Sequence, residues 1–169
     1  MSRIETQALR QALGRFATGV TVITTLGPDG RPVGLTANSL VPLSLEPPLL
    51  AWSLARRSGS LAAFLAAPWF AVNVLAEGQE DLARRFAGPA ERRFAELPWQ
   101  AGLGGCPLLA ESLASFECRS ERRIETGDHW LLIGTPERLG HGPGAPLVFY
   151  ASRFGLGAAT ADAAVPAAA

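Results

Sequence analysis

Val20-Thr-Val-Ile-Thr-Thr-Leu-Gly-Pro-Asp-Gly30 followed by Arg31-Pro-Val-Gly-Leu-Thr36 decides the fold. The first six residues are β-branched throughout and read as a strand. Gly27-Pro-Asp-Gly30 is a turn signal, because Pro presets one backbone angle and Gly accepts a positive φ at no steric cost. Residues 31–36 then return as the hairpin partner. A further strand is expected at 40–45. The apolar run Leu49-Leu-Ala-Trp-Ser-Leu54 follows the Pro47-Pro48 break as a buried strand. Phe70-Ala-Val-Asn-Val-Leu75 repeats the pattern, and residues 112–124, 130–139 and 147–149 extend it, with turns at Gly127-Asp128 and 141–144.

Helices are sparse and short. Leu9, Ala12, Leu13 and Phe16 recur at helical spacing over 6–16, with Gly19 as a stop. Ser58 caps a short helix carrying Leu61, Phe64 and Leu65, and 77–86 forms another with Leu82 and Phe86 inward. Residues 87–112 read as irregular, with one helical turn near 92–97. The expected fold is mainly β (α+β), a meander that removes its open edges by closing into a small closed or split barrel. Residues 1–156 form its single domain and the Ala-rich 157–169 a disordered tail.

Composition removes many activities. The 169 residues carry 15 basic and 15 acidic side chains, so no basic excess marks a nucleic-acid partner. Every basic residue is Arg; without Lys there is neither Schiff-base chemistry nor a P-loop. Cys106 and Cys118, with His129 and His141, lack zinc spacing and read as small core thiols plus two isolated imidazoles. Neither a signal peptide nor a membrane-spanning run is evident, so a cytoplasmic protein is expected. Nucleophile elbow, carboxylate pair and G-x-G-x-x-G are all missing. Hydride transfer through an organic cofactor suits this sparse inventory, since the cofactor carries the reactivity and the protein supplies position.

Three segments have the chemistry to hold such a group. Thr36-Ala-Asn-Ser39 is small and polar at a strand end, open to a flat ligand, and equally an ordinary strand junction. Ser53-Leu-Ala-Arg-Arg-Ser-Gly-Ser60 offers hydroxyls, guanidinium groups and helix amides to a phosphate, or is simply a capped helix with solvated Arg. Gly127-Asp-His129 places an imidazole on a turn, at a ligand or in solvent. Arg84-Arg85-Phe86 adds a cationic pair at a helix end, where the dipole also favours it. The four tryptophans read as core or interface.

In this order the segments resemble the flavin reductase family with the FMN-binding split-barrel fold. The matching stretches are Phe16-Ala-Thr-Gly-Val-Thr-Val-Ile-Thr-Thr25, Gly34-Leu-Thr-Ala-Asn-Ser39, Ser44-Leu-Glu-Pro-Pro-Leu49, Phe70-Ala-Val-Asn-Val-Leu75, Leu82-Ala-Arg-Arg-Phe86 and Gly127-Asp-His129. They run collinearly from about Leu9 to Phe154. The resemblance implies a homodimeric NAD(P)H:flavin oxidoreductase that supplies reduced FMN or FAD to a separate monooxygenase component. It places Thr36, Ala37, Asn38 and Ser39 along the isoalloxazine ring. Ser53, Leu54, Ala55, Arg57, Ser58 and Ser60 fall around the ribityl chain and phosphate. Arg85 and Phe86 close the phosphate end, and His129 meets the nicotinamide of NADH or NADPH.

Trp130 and Phe154 depart from that family's usual residues, and Pro136 inside an expected strand demands an edge or a bulge. Two other functions fit the same resemblance. One is a split-barrel flavoprotein that keeps its FMN and reduces another acceptor; the other is a flavin-binding module without turnover.

Overall fold

The computed structural model describes residues 4–155, so the tail expected over 157–169 lies outside the described residues. The elements are α1 (Thr6–Leu13), β1 (Thr18–Gly19), β2 (Thr21–Leu26), β3 (Pro32–Ala37), β4 (Val41–Leu45), β5 (Pro48–Ala55), α2 (Leu61–Ala66) and β6 (Trp69–Val74). Then come α3 (Glu80–Ala87), α4 (Ala90–Arg93), β7 (Trp99–Ala101), β8 (Pro107–Leu109), β9 (Ala114–Thr126), β10 (His129–His141), β11 (Val148–Tyr150) and β12 (Arg153–Phe154).

The β2–β3 hairpin forms as expected, registered from Thr21 opposite Ala37 to Leu26 opposite Pro32. Its turn closes by Gly27 N–H to Arg31 O at 2.8 Å, with Gly30 at φ 74°. Seven strands follow the order β3-β2-β6-β9-β10-β5-β4, each antiparallel to its neighbour. The sheet curls until its two ends meet, where Ser39, two residues past β3, bonds to Ser53 of β5. The result is a β-barrel with a seam.

Residues Thr21 to Thr25 are all buried, because both faces of β2 are covered. Ile23 points into the barrel with Trp52, Phe64, Phe70, Val72 and Leu132. Val20 and Val22 face the other way, against Leu75, Ala83, Phe86, Leu109 and Leu147. Trp52 meets Phe64 edge-on at 4.9 Å and 76°, and Phe70 at 6.1 Å. Gly134 lies against Phe70, whose ring carbons a Cβ would meet at 2.6 Å. Pro136 is accommodated at a bulge: the β9–β10 register slips between Pro136 and Arg138, and β5 no longer flanks β10 there.

Several expectations needed revision. Residues 87–112 hold α4 and the paired strands β7 and β8. Short strands rich in Gly and Pro carry little pattern of their own, and β8 is held by tertiary hydrogen bonds. The fully buried Asn73 accepts from Leu109 N–H at 2.9 Å and donates to Val22 O at 3.1 Å, while Thr24 donates to Pro107 O at 2.5 Å. Glu117, only 3% exposed, fixes the neighbouring turn by accepting from Leu103 N–H at 2.5 Å. Arg138 engages both of its carboxylate oxygens, each at 2.5 Å. The helix expected over 6–16 stops at Leu13, and none of its residues is buried. The one expected over 77–86 divides into a 3₁₀ turn, Glu77–Gln79, and α3.

Candidate functional site

The seam brings together segments far apart in sequence. β4 leaves β5 after the Val41–Ala51 pair, so the edge of β5 beyond it is open. Ser39 fills that gap: its hydroxyl accepts from Ser53 N–H at 3.0 Å and donates to Ser53 O at 3.2 Å. Thr36 donates to Ala83 O at 2.6 Å, tying the rim of β3 to α3. Ala37 is buried, and its carbonyl accepts the Thr21 hydroxyl at 2.7 Å. Asn38 is exposed, and its side chain makes no hydrogen bond among the described residues. A shallow recess of about 230 Å³ opens here, floored by Val20, Ala37, Phe149 and Phe154 and edged by Thr36 and Asn38. An apolar floor with polar groups at one rim suits a flat heteroaromatic ring.

Along the other lip runs the loop 53–60. Leu54 is 2% exposed, its side chain in the barrel core, so only its backbone faces this lip. Arg56 is tied to Glu125 by an ion pair, and its N–H donates to Asp128 O at 2.9 Å. Arg57 is exposed and forms no ion pair among the described residues, which leaves its guanidinium available to an anion. Ser58 N–H closes a turn on Ala55 O at 2.9 Å, and the Ser58 hydroxyl accepts from Ser60 N–H at 3.3 Å. The cap of the helix lies two residues later than expected, at Ser60 rather than Ser58. Ser60 does not cap it by its side chain, because that hydroxyl accepts from Arg93 at 3.2 Å. α2 has six residues. So short a dipole contributes little to anion binding beside Arg57 and Ser58.

The β9–β10 turn lies at the same end of the barrel, since His129 pairs with Ala55. His129 Nδ1 is 2.7 Å from Asp128 Oδ1. The imidazole holds the Asp128 carboxyl below its usual range, first through that hydrogen bond and then through charge. In the neutral imidazole, a proton on Nδ1 facing this carboxylate leaves Nε2 as the acceptor.

Arg85 and Phe86, expected at a ligand, are placed differently. Phe86 is 0% exposed and meets Phe94 edge-on at 5.0 Å, supporting the seam from beneath. Arg85 donates to the carbonyls of Arg92 at 3.0 Å, Arg93 at 2.9 Å and Ala95, and so holds α4 in place. A buried helical face and a guanidinium turned inward are what the Leu82-x-x-x-Phe86 spacing produces once α3 docks on β3. Arg84 points the other way, 5.2 Å from the centroid of Phe154 at the recess, with Glu80 Oε1 at 2.9 Å from its Nε. Arg84 and Phe149 stand at the recess, whereas Arg93 is bonded to the Gly34 and Gly88 carbonyls and lines no part of it. The Arg84-Arg85 pair points to Arg84, and nothing in the sequence points to Phe149.

Among the described residues no group of three or more His, Cys, Asp or Glu side chains is placed to hold a metal. The residues present do fit a flavin. The recess has room for one flat ring, and Arg57 and Ser58 lie on the loop that follows β5 beyond the Ser39–Ser53 contact.

Comparison with known proteins agrees with this fold. The family model "Flavin reductase like domain" matches residues 13–157. The chain is 48% identical over 128 residues to a probable flavin reductase of Rhizobium meliloti, covering 76% of this chain but only 41% of that longer protein. It is 40% identical over 152 residues to the flavin-dependent monooxygenase reductase subunit HsaB of Rhodococcus jostii, covering 89% and 77% of the two chains. The Streptomyces globisporus NADH:FAD oxidoreductase SgcE6, solved with NAD and FAD fragments, superposes with a TM-score of 0.84 at 35% identity, over 96% of this chain and 100% of that one. With its split barrel, its seam and a family match over most of its length, this chain belongs to the flavin reductase like domain family.

Proposed function

We propose that the chain is an NADH-dependent flavin reductase that takes FMN or FAD as a diffusible substrate and supplies the reduced form to a separate monooxygenase. The observation that carries the proposal is the convergence of Asn38, Ser39 and Ser53 with Arg57, Ser58 and the Asp128–His129 pair along one open seam.

When bound, the flavin supplies the ring nitrogen, N5, that accepts hydride from C4 of the nicotinamide. The rest is positioning. Asn38 and the Ser39–Ser53 edge meet the polar rim of the ring, and Arg57 and Ser58 anchor the phosphate. His129, whose Nδ1 is engaged by Asp128, would offer Nε2 to the nicotinamide carboxamide and so help to orient that ring toward the flavin. No proton need move at the protein, which agrees with the few acid–base side chains along the seam. An open seam also suits a substrate that must leave after reduction.

Two features support a homodimer. Leu9, Leu13 and Phe16 on and just after α1 are 47%, 63% and 75% exposed, and Val41, Leu43 and Leu45 on β4 are 49%, 48% and 88% exposed. Apolar side chains left open on a helix and on an edge strand suit burial against a second copy. Use of NADH supports a cytoplasmic setting, and no helix among the described residues is long and apolar enough to cross a membrane. Names such as that of HsaB support a monooxygenase partner.

The test is NADH and NADPH oxidation by the purified protein with FMN, FAD or riboflavin added. Turnover that saturates with added flavin is expected. Saturable flavin binding without nicotinamide oxidation would instead favour a flavin-binding module.

A further inference from the structure

We infer that Arg93 is a positioning residue for flavin, setting the width of the seam from outside it; the inference rests on the flavin-reductase reading above. Its guanidinium donates in three directions. Nε and Nη2 reach Gly88 O at 3.0 and 2.8 Å, and Nη1 reaches Gly34 O at 2.7 Å and Ser60 Oγ at 3.2 Å. Gly88 ends α3, Gly34 lies on β3 two residues before Thr36, and Ser60 ends the loop that carries Arg57 and Ser58. One side chain therefore joins both lips of the seam to the helix beneath them.

Among the described residues, side-chain hydrogen bonds join the two lips at the Ser39–Ser53 stitch and at the Gly34–Arg93–Ser60 bridge. Gly34 has no freedom to yield inward, because even a Cβ there would stand 2.9 Å from the Phe86 ring. Arg93 is itself held in register by Arg85, whose bonds to the carbonyls of Arg92 and Arg93 fix α4.

Arg93 also differs from the arginines that neutralise carboxylates, such as Arg56 with Glu125, Arg119 with Glu137 and Arg138 with Glu117. Among the described residues it makes no ion pair, and its hydrogen bonds go to two carbonyls and a hydroxyl. A fork of fixed donors is what this bridge requires. Lysine keeps the charge but presents one compact ammonium and cannot span the three acceptors.

Arg93→Ala, Arg93→Lys and Ser60→Ala test the inference. Flavin affinity is read by quenching of flavin fluorescence, separately from turnover, and folding by thermal denaturation. Arg93→Ala is expected to weaken FMN binding roughly tenfold, with the Michaelis constant for NADH and kcat at saturating flavin unchanged. Arg93→Lys should fall between it and the parent. Unchanged FMN affinity in folded Arg93→Ala overturns the inference, as does an equal rise in the FMN and NADH constants. Should Arg93→Ala fail to fold, normal FMN affinity in both Arg93→Lys and Ser60→Ala overturns it. If the parent binds FMN but oxidises no NADH, the reductase reading fails while the affinity series still decides the role of Arg93.

Discussion

The Ser39 hydroxyl sits across the peptide edge of Ser53, accepting from its N–H at 3.0 Å and donating to its carbonyl at 3.2 Å. A side chain here does the work of a strand, joining the two ends of the sheet where no ladder continues. Ser39→Ala removes one acceptor and one donor at a half-buried place. It should cost about 1 kcal/mol of stability and weaken flavin binding several-fold, read by thermal denaturation and fluorescence titration.

Asp128 and His129 should control the nicotinamide rather than the flavin. His129→Ala removes the Nε2 acceptor, and Asp128→Ala leaves the imidazole free to rotate and change tautomer. Both should raise the Michaelis constant for NADH while flavin affinity stays at the parent value. Steady-state kinetics with each substrate varied in turn will separate the two effects.

Asn73 is fully buried and holds β8 to the sheet through Leu109 N–H and the carbonyls of Val22 and Pro107. Asn73→Ala removes the acceptor of the Leu109 N–H and a donor to the Val22 and Pro107 carbonyls, the latter of which keeps the Thr24 hydroxyl. A loss of roughly 2–4 kcal/mol is expected, measured by urea denaturation, with no change in the turnover number of the protein that remains folded.

Glu117 gives a pH dependence of defined sign. The hydrogen bonds from Arg138 hold its carboxyl below the usual range, and the Leu103 N–H adds to them against the opposing effect of burial. A carboxyl whose folded pKa is depressed stabilises the fold above its unfolded value of about 4.3. That stability is lost as pH falls through the folded value. Glu117→Gln should flatten this acid limb of the stability curve and cost about 1–2 kcal/mol at neutral pH. Denaturant midpoints taken from pH 7 down to acid will show it.

Cys106 and Cys118 are buried, and burial pushes their thiols up to about 11 and about 12 respectively. Both should resist thiol reagents at neutral pH in the folded protein and react promptly once it is unfolded. Fast labelling of either thiol under native conditions would place it outside the core.

The barrel was legible because its strands carry their own signals: β-branched residues in 20–25, a Gly-Pro-Asp-Gly turn, and apolar runs broken by Pro. What stayed hidden depends on tertiary contacts. β8 is made by Asn73 and Thr24 from elsewhere in the chain, so its own three residues gave no sign of it. The same reason explains the site. Thr36, Asn38, Ser39 and Ser58 could be singled out because small polar residues at strand ends and loops declare themselves, and the structure sets them at the seam. Arg84, Arg85 and Arg93 are chemically alike in the sequence, and only the docking of α3 on β3 decides which stands at the recess and which holds the wall.

Anaerobic mixing of the protein and oxidised FMN or FAD with NADH, followed by the loss of oxidised-flavin absorbance, reads hydride transfer directly. The rate should saturate in both substrates, with His129→Ala shifting the NADH curve and Ser58→Ala the flavin curve. Bleaching no faster than in the protein-free mixture, or indifferent to both substitutions, would contradict the assignment of this seam as the place where flavin is reduced.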